Sequence, residues 1–221
     1  MNTTKEINGK PTTDAVITVG TGRGFVIEVP VVTWDQACRE RYVVTAAHCL
    51  PTIPLCSAER NLSEVTYKPL LSELGEAPYV WAECVFVNPV TDLAVLGHPD
   101  WEEWKDHANV YYEFVRSVTN PLRVGAAPGQ RYDYTDDNDE EAWLLSLDRH
   151  WFECRVHYLH SFGPLYVYKT AEPIRGGMSG SPIVLADDTA IGVLTTTRGY
   201  VEGYGTPNPR LTSDLPGWLL W

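Results

Sequence analysis

Apolar and polar positions alternate along most of this chain, and that period of two predicts strands. Residues 14–29 alternate around Gly20-Thr21-Gly22-Arg23-Gly24. The pattern predicts a hairpin of residues 15–19 and 25–29 about a Gly-rich turn. Tyr42-Val43-Val44 predicts a short strand. Residues 80–87 and 93–96 predict two more, with residues 88–91 turning between them. The signal returns at residues 143–146, 151–160, 165–168, 182–185 and 191–195, the last two flanking a turn at Asp187-Asp188. Between these halves the period changes. Asp100 and Glu103 have the spacing of a capping box, and Trp101, Trp104, Ala108, Tyr111, Tyr112 and Val115 recur near helical period. Residues 100–118 are therefore predicted to form a helix whose aromatic stripe is a packing face. Residues 215–221 are apolar and are expected to dock on the body of the protein. The expected organisation is all-β and single-domain: an N-terminal half over 14–98, a linking helix over 100–118 and a C-terminal half over 121–215.

Composition supports a β protein. The chain has 221 residues, 44% of them hydrophobic, with 16 Pro and 17 Gly. That length suffices for one or two cores, and the Pro and Gly content suits a fold rich in turns. A formal net charge of −12 argues against nucleic acid and anionic membranes as partners. Residues 1–10 carry no apolar stretch of the kind a secretory leader needs, and no apolar run is long enough to span a membrane. The expected location is cytoplasmic. Five cysteines (Cys38, Cys49, Cys56, Cys84 and Cys154) are an odd set for a disulfide scaffold. In a reducing compartment they act as small buried hydrophobes.

Three short runs carry candidate chemistry: Thr45-Ala46-Ala47-His48-Cys49, Thr91-Asp92-Leu93-Ala94-Val95-Leu96 and Gly177-Met178-Ser179-Gly180-Ser181-Pro182. In order they offer a base, an orienting carboxylate and a hydroxyl. A serine hydroxyl is a poor nucleophile until an imidazole takes its proton, and a carboxylate fixes the tautomer of that imidazole. The order His, Asp, Ser differs from the α/β-hydrolase and subtilisin orders. His48 and Asp92 lie 44 residues apart, and Asp92 and Ser179 lie 87 apart. Asp92 precedes an apolar strand and is expected to be buried. Small residues around Ser179 allow a sharp turn that aims two N–H groups at one spot.

These runs closely resemble the chymotrypsin/trypsin-like serine peptidases, bacterial single-domain members in particular. The resemblance implies two six-stranded antiparallel β-barrels with the active site between them, an interbarrel helix and a docked C-terminal segment. It implies His48, Asp92 and Ser179 as the catalytic set, the amides of Gly177 and Ser179 as the oxyanion hole, and a protein or peptide substrate with no cofactor or metal. It also implies a substrate pocket lined by residues 172–176 and 194–197, which places Pro173, Arg175, Thr195 and Thr197 along the substrate. Pro173 stands where trypsins carry a pocket Asp. Glu172 favours one kind of substrate residue, and Arg175 with Arg198 the opposite kind. Thr195 resembles a family Ser whose hydroxyl supports the catalytic Asp. Cys38 and Cys49 resemble a disulfide that many secreted members carry beside the catalytic His. One departure matters. Met178 stands where secreted digestive members have an Asp that pairs with a newly cut N-terminus, so the Ser179 loop must be ordered in another way.

Competing chemistries fit less well. Gly20 to Gly24 lacks the helix start and Lys-Ser/Thr pair of a phosphate loop. Residues 133–141 carry six carboxylates without the pattern of an EF-hand, so a solvated loop is expected. Cys154, His157 and His160, with His150 nearby, suggest a metal, but alternation on a strand puts His157 on the opposite face. The sequence therefore predicts a serine endopeptidase of narrow specificity, a processing or regulated effector enzyme with an activating partner or an associated target protein. The alternative is a catalytically silent binding or regulatory module.

Overall fold

Six strands build the N-terminal half: β1 (Val16–Val19), β2 (Gly22–Val32), β3 (Ala37–Ala46), β4 (Val65–Ser72), β5 (Val80–Asn88) and β6 (Leu93–Gly97). They close into a barrel in the order β1-β2-β3-β6-β5-β4, the seam being sealed by Thr18 opposite Ser72 and Val19 opposite Leu71. The computed structural model describes residues 10–32, 37–53, 65–126, 140–158, 163–195 and 205–220. Strand β4 was hidden from pattern reading by Pro69, which interrupts the alternation. The β4–β5 register shifts between Tyr67 and Leu71, and that irregularity accommodates the proline.

Among the described residues the C-terminal half forms a seven-stranded sheet of β7 (Arg123–Val124), β8 (Glu140–Leu145), β9 (Trp151–Tyr158), β10 (Leu165–Tyr168), β11 (Pro182–Val184), β12 (Thr189–Val193) and β13 (Thr206–Asn208). Its order is β13-β10-β9-β8-β11-β12-β7. The strand number therefore exceeds the six expected, because β7 adds to β12 in parallel. Residues 133–139, most of the acidic run, lie outside the described residues, and Glu140 and Glu141 open β8.

The linking helix starts later than predicted. A single 3₁₀ turn covers Glu102–Trp104, and α1 runs over Lys105–Ser117. No side-chain capping bond forms at either start. The Asp100 amide donates to Glu83 Oε2 at 3.0 Å, so β5 draws that residue away from a capping box. The packed face is Tyr111, Phe114 and Val115, whereas Trp101 is exposed. Arg41 of β3 anchors the other end of the helix by donating to the carbonyls of Val115 and Val118 at 2.8 and 2.7 Å. A cation there complements the unpaired carbonyls of a helix C-terminus.

Among the described residues two apolar clusters form. The larger fills the barrel with Phe25, Leu71 and Leu96, and also takes in Val193, Leu211, Leu215 and Leu219 from the C-terminal half. The tail is thus docked, as expected, through a short helix α2 (Leu211–Asp214) and a following 3₁₀ turn. The smaller cluster holds Leu144, Phe152, Leu165, Met178 and Ile191. Among the described residues no helix is long and apolar enough to cross a membrane.

Candidate active site

Strand register sets the first two groups side by side. In the β3–β6 pair Thr45 faces Ala94 and Ala46 faces Leu93, so the end of β3 meets the start of β6. A 3₁₀ turn over Ala47–Cys49 then presents His48. Asn88 shapes the approach to Asp92, its side-chain oxygen accepting the amides of Val90 and Thr91 at 3.1 and 3.3 Å. This is an Asx-type turn. Asp92 itself has φ +60°, a left-handed conformation that Asp tolerates better than most residues.

Three bonds then join the two segments. The Ala47 amide donates to the Asp92 carbonyl at 3.0 Å. The His48 amide donates to Asp92 Oδ1 at 2.9 Å. The imidazole Nδ1 meets Asp92 Oδ2 at 2.6 Å. Both carboxylate oxygens therefore hold one histidine. With the Nδ1 proton directed at Asp92, the neutral ring keeps Nε2 unprotonated, which is the form able to accept a proton. The expected burial of Asp92 is corrected here: its side chain is 30% exposed and that of His48 35%, because the pair sits at the barrel rim where β6 begins.

Ser179 arrives from the other sheet. Its carbonyl accepts the Arg23 amide at 2.8 Å and the Cys49 thiol at 3.6 Å. Cys49 directly follows His48, so the Ser179 backbone is tied to the same turn that presents the imidazole. Gly180 has φ +83°, and a Cβ there would collide with the Arg23 carbonyl oxygen. Only glycine fits, for both reasons. The Gly180 amide donates to the Leu194 carbonyl at 2.7 Å, and the Leu194 amide to the Ser181 carbonyl at 2.8 Å, which fixes the loop onto the strand that leaves β12. Among the described residues the amides of Gly177 and Ser179 donate to no carbonyl. They are free to serve an incoming oxygen, and Gly177 reaches its position with φ +90°.

The loop is ordered through an apolar anchor. Met178 is 1% exposed within the smaller core cluster, and its sulfur accepts the Arg175 amide at 3.3 Å. A thioether in the core takes the position held by an ion pair in the digestive enzymes that the motifs resemble.

The remaining predicted residues divide. Pro173 and Arg175 are exposed along the approach to Gly177, and the Arg175 guanidinium bonds no described residue. Glu172, read from sequence as a pocket acid, instead pairs with Nε2 of His150. Thr195 is buried, but its hydroxyl makes no bond to Asp92. Its amide donates to Asn208 Oδ1 at 2.9 Å, because β13 draws the strand end toward itself. Thr197 and Arg198 lie outside the described residues, as do Cys56, His160 and the side chain of Cys38. Cys49 and Cys154 are free thiols. Burial pushes the Cys49 thiol up to about 11 and the Cys154 thiol up to about 12. Cys154 sits in the core, and His157 stacks on Tyr166 with ring centres 5.5 Å apart. Sequence reasoning passed over Arg23, Ser146 and the His150–Glu172 pair. The one available signal was a long cation set between glycines, Gly22-Arg23-Gly24, at the start of a strand whose next residues, 25–27, are apolar.

No family model matches the chain, and no curated protein matches it. Its structural neighbours are trypsin-like serine protease domains. Deg5 is 18% identical over 89% of this chain and 88% of its own, with a TM-score of 0.46. The MamO protease domain from Magnetospirillum magneticum, in its apo form, is 15% identical over 90% of this chain and 93% of its own, with a TM-score of 0.45. The inactive form of the Rv3671c protease is 18% identical over 84% of this chain and 79% of its own, with a TM-score of 0.43. The strand register and the site geometry, rather than these overlaps, support the reading that follows.

Proposed function

We propose that the protein is a serine endopeptidase. The observation that carries this reading is the two-point grip of Asp92 on His48, at 2.9 Å to the amide and 2.6 Å to Nδ1, beside a Ser179 tethered to the same turn. Ser179 Oγ attacks the carbonyl carbon of a peptide bond as His48 Nε2 takes the hydroxyl proton. Asp92 holds the imidazole in its receiving tautomer and stabilises the imidazolium that forms. The amides of Gly177 and Ser179 donate to the oxyanion of the tetrahedral intermediate. Its collapse breaks the C–N bond, and His48 returns the proton to the leaving amine. Water then enters by the same base and releases the acyl group from Ser179. No step requires a metal or cofactor. The substrate is a protein or peptide, recognised along residues 173–175. We further propose a reducing compartment, which suits the buried free thiols of Cys49 and Cys154, and neither nucleic acid nor membrane as a partner.

One observation favours a second reading. Among the described residues His48 Nε2 makes no hydrogen bond to Ser179 Oγ. A silent module with this fold, or an enzyme that closes its site on substrate or partner binding, has that property, since such contacts often tighten only in the complex. A fluorophosphonate probe separates the readings. Active enzyme gains one adduct, on Ser179, and Ser179→Ala gains none. Well-folded protein that takes no adduct, even with peptide substrates present, supports the silent module.

A further inference from the structure

Arg23 is a buried cation that pairs with no carboxylate among the described residues. It is 5% exposed. Its guanidinium crosses from the barrel to the second sheet and donates to the carbonyls of Leu145 and Ser146 at 2.8 and 2.9 Å. Burial and the neighbouring Arg149 both lower its affinity for a proton. A buried guanidinium stays charged, so leaving its donors without either carbonyl is costly. The turn between β8 and β9 is thereby locked to the barrel. A second tie runs from Arg149 of the same turn to the Leu74 carbonyl.

From Ser146 the bonding continues back to the Ser179 loop. Ser146 Oγ meets His150 Nδ1 at 2.9 Å and accepts the His150 amide at 3.2 Å. His150 Nε2 meets Glu172. Glu172 opens the segment that ends at Gly177. Leu147, in the middle of the turn, lies 3.5 Å from the point where a Gly177 Cβ would stand. The backbone amide of Arg23 already holds the Ser179 carbonyl. The circuit therefore leaves Ser179 through Arg23, crosses to Ser146, passes through His150 to Glu172, and returns along the chain to Gly177. Ser, His and Glu in a row also match the pattern of a nucleophilic set, but Ser146 is 3% exposed, so no substrate carbonyl reaches it.

We propose that Arg23, Ser146, His150 and Glu172 form a clamp that positions the loop bearing Gly177 and Ser179. It rests on the reading of Ser179 as nucleophile. Arg23 fixes the Ser179 end of the loop and the β8–β9 turn together. His150 and Glu172 fix the leading end, and the turn backs Gly177. Arg23 and Ser146 are buried, and His150 and Glu172 bond each other, so the four act as positioning residues. Together with Met178 they order the loop without a charged N-terminus.

The test uses the full chain and two readouts, one independent of activity. Hydrogen exchange followed by mass spectrometry reports opening of residues 172–181. The rate of fluorophosphonate labelling reports the alignment of Ser179 with the oxyanion hole. Glu172→Ala removes the acceptor, whereas Glu172→Gln keeps an oxygen for His150. Glu172→Ala is expected to raise exchange in the loop and slow labelling by about two- to fivefold each, the range for a pair whose side chains are 51% and 41% exposed. Glu172→Gln should stay within about 1.5-fold of the parent, since its amide oxygen still accepts a hydrogen bond. Exchange elsewhere, in β1 to β6, should not change. Glu172→Ala that matches the parent in both readouts overturns the clamp. So does Glu172→Gln that is as impaired as Glu172→Ala, because the effect then belongs to charge. A parent whose loop is protected, and loses protection in Glu172→Ala, yet never takes label would keep the clamp and reject the peptidase.

Discussion

In the closed barrel, His48 and Asp92 occupy the ends of neighbouring strands, and the register of one strand pair brings them together. In the seven-stranded sheet, Ser179 sits on a loop that no strand pair positions directly. It is held by a core methionine, by backbone bonds joining Gly180 and Ser181 to the chain at Leu194, and by a backbone bond to Arg23 of the other half. One half of the site is thus set by local hydrogen bonding and the other by contacts across the two sheets. Register is robust, because a slip of one residue turns every apolar side chain outward. A loop held by a few separate contacts is the easier part to lose, and the easier part to regulate.

The largest test asks whether the two halves act as one unit. Ser179→Ala and His48→Ala are each expected to reduce single-turnover cleavage by about 10⁶, and their combination to cost little more than either alone. Asp92→Asn is expected to cost about 10⁴, because the amide can hold the imidazole in the wrong tautomer. Losses that multiply, measured beside unchanged circular dichroism, would mean that the two halves do not share a mechanism.

Next come changes confined to the loop. Met178→Ala removes a core side chain and is expected to cost about 2–5 kcal/mol in urea titration. Gly180→Ala adds a left-handed strain of about 1–3 kcal/mol and a clash with the Arg23 carbonyl. Both should abolish or strongly slow probe labelling while the barrel keeps its far-ultraviolet signal. If labelling survives in both variants, the loop does not depend on these anchors, and the contrast between the halves fails.

Arg23→Lys sharpens the comparison more gently. It keeps the charge but offers one compact head group where a planar fork reaches two carbonyls. Labelling should slow by about tenfold, within the range for one lost charged hydrogen bond, with KM changed less than kcat. A normal kcat with a raised KM would move Arg23 from positioning to substrate binding.

The smallest effect concerns the thiols. Cys49 and Cys154 rise from 9.0 to about 11 and about 12 on folding, by burial. A group held protonated in the folded state contributes stability that is complete below its unfolded value and is lost as pH rises through the folded one. The thiol contribution to the urea midpoint should therefore be constant from neutral pH to about 9 and fall between about 9 and 12, and Cys49→Ala should reduce that fall. Iodoacetamide at pH 8 should leave Cys49 unmodified, since about one thiol in a thousand is ionised there. Rapid alkylation would show that the turn beside His48 opens more readily than the barrel does. Chelators and reducing agents should leave activity unchanged.

Much of the fold was legible because strands announce themselves by alternation. The hairpin at 15–29, the strands around His48 and Asp92 and most of the second sheet follow that signal. β4 escaped because Pro69 breaks it, and β13 because three residues are too few to show a period. The helix boundary moved because Asp100 bonds Glu83 rather than its own helix. In the candidate site, residue types in a fixed order singled out His48, Asp92 and Ser179 before any geometry was known. Order along the chain says nothing of exposure, and Asp92 proved to lie at the barrel rim.

The sequence by itself determined the all-β character, the candidate residues and the glycines that their turns require, since each of these depends on a residue and its near neighbours. Only the tertiary structure decided what Arg23, Ser146, His150 and Glu172 do. Arg23 lies 123 residues from Ser146, and Ser146 lies four from His150, which in turn reaches across 22 residues to Glu172. No local period links such positions. A buried cation must find acceptors wherever folding brings carbonyls within reach, and here they belong to the turn behind Gly177.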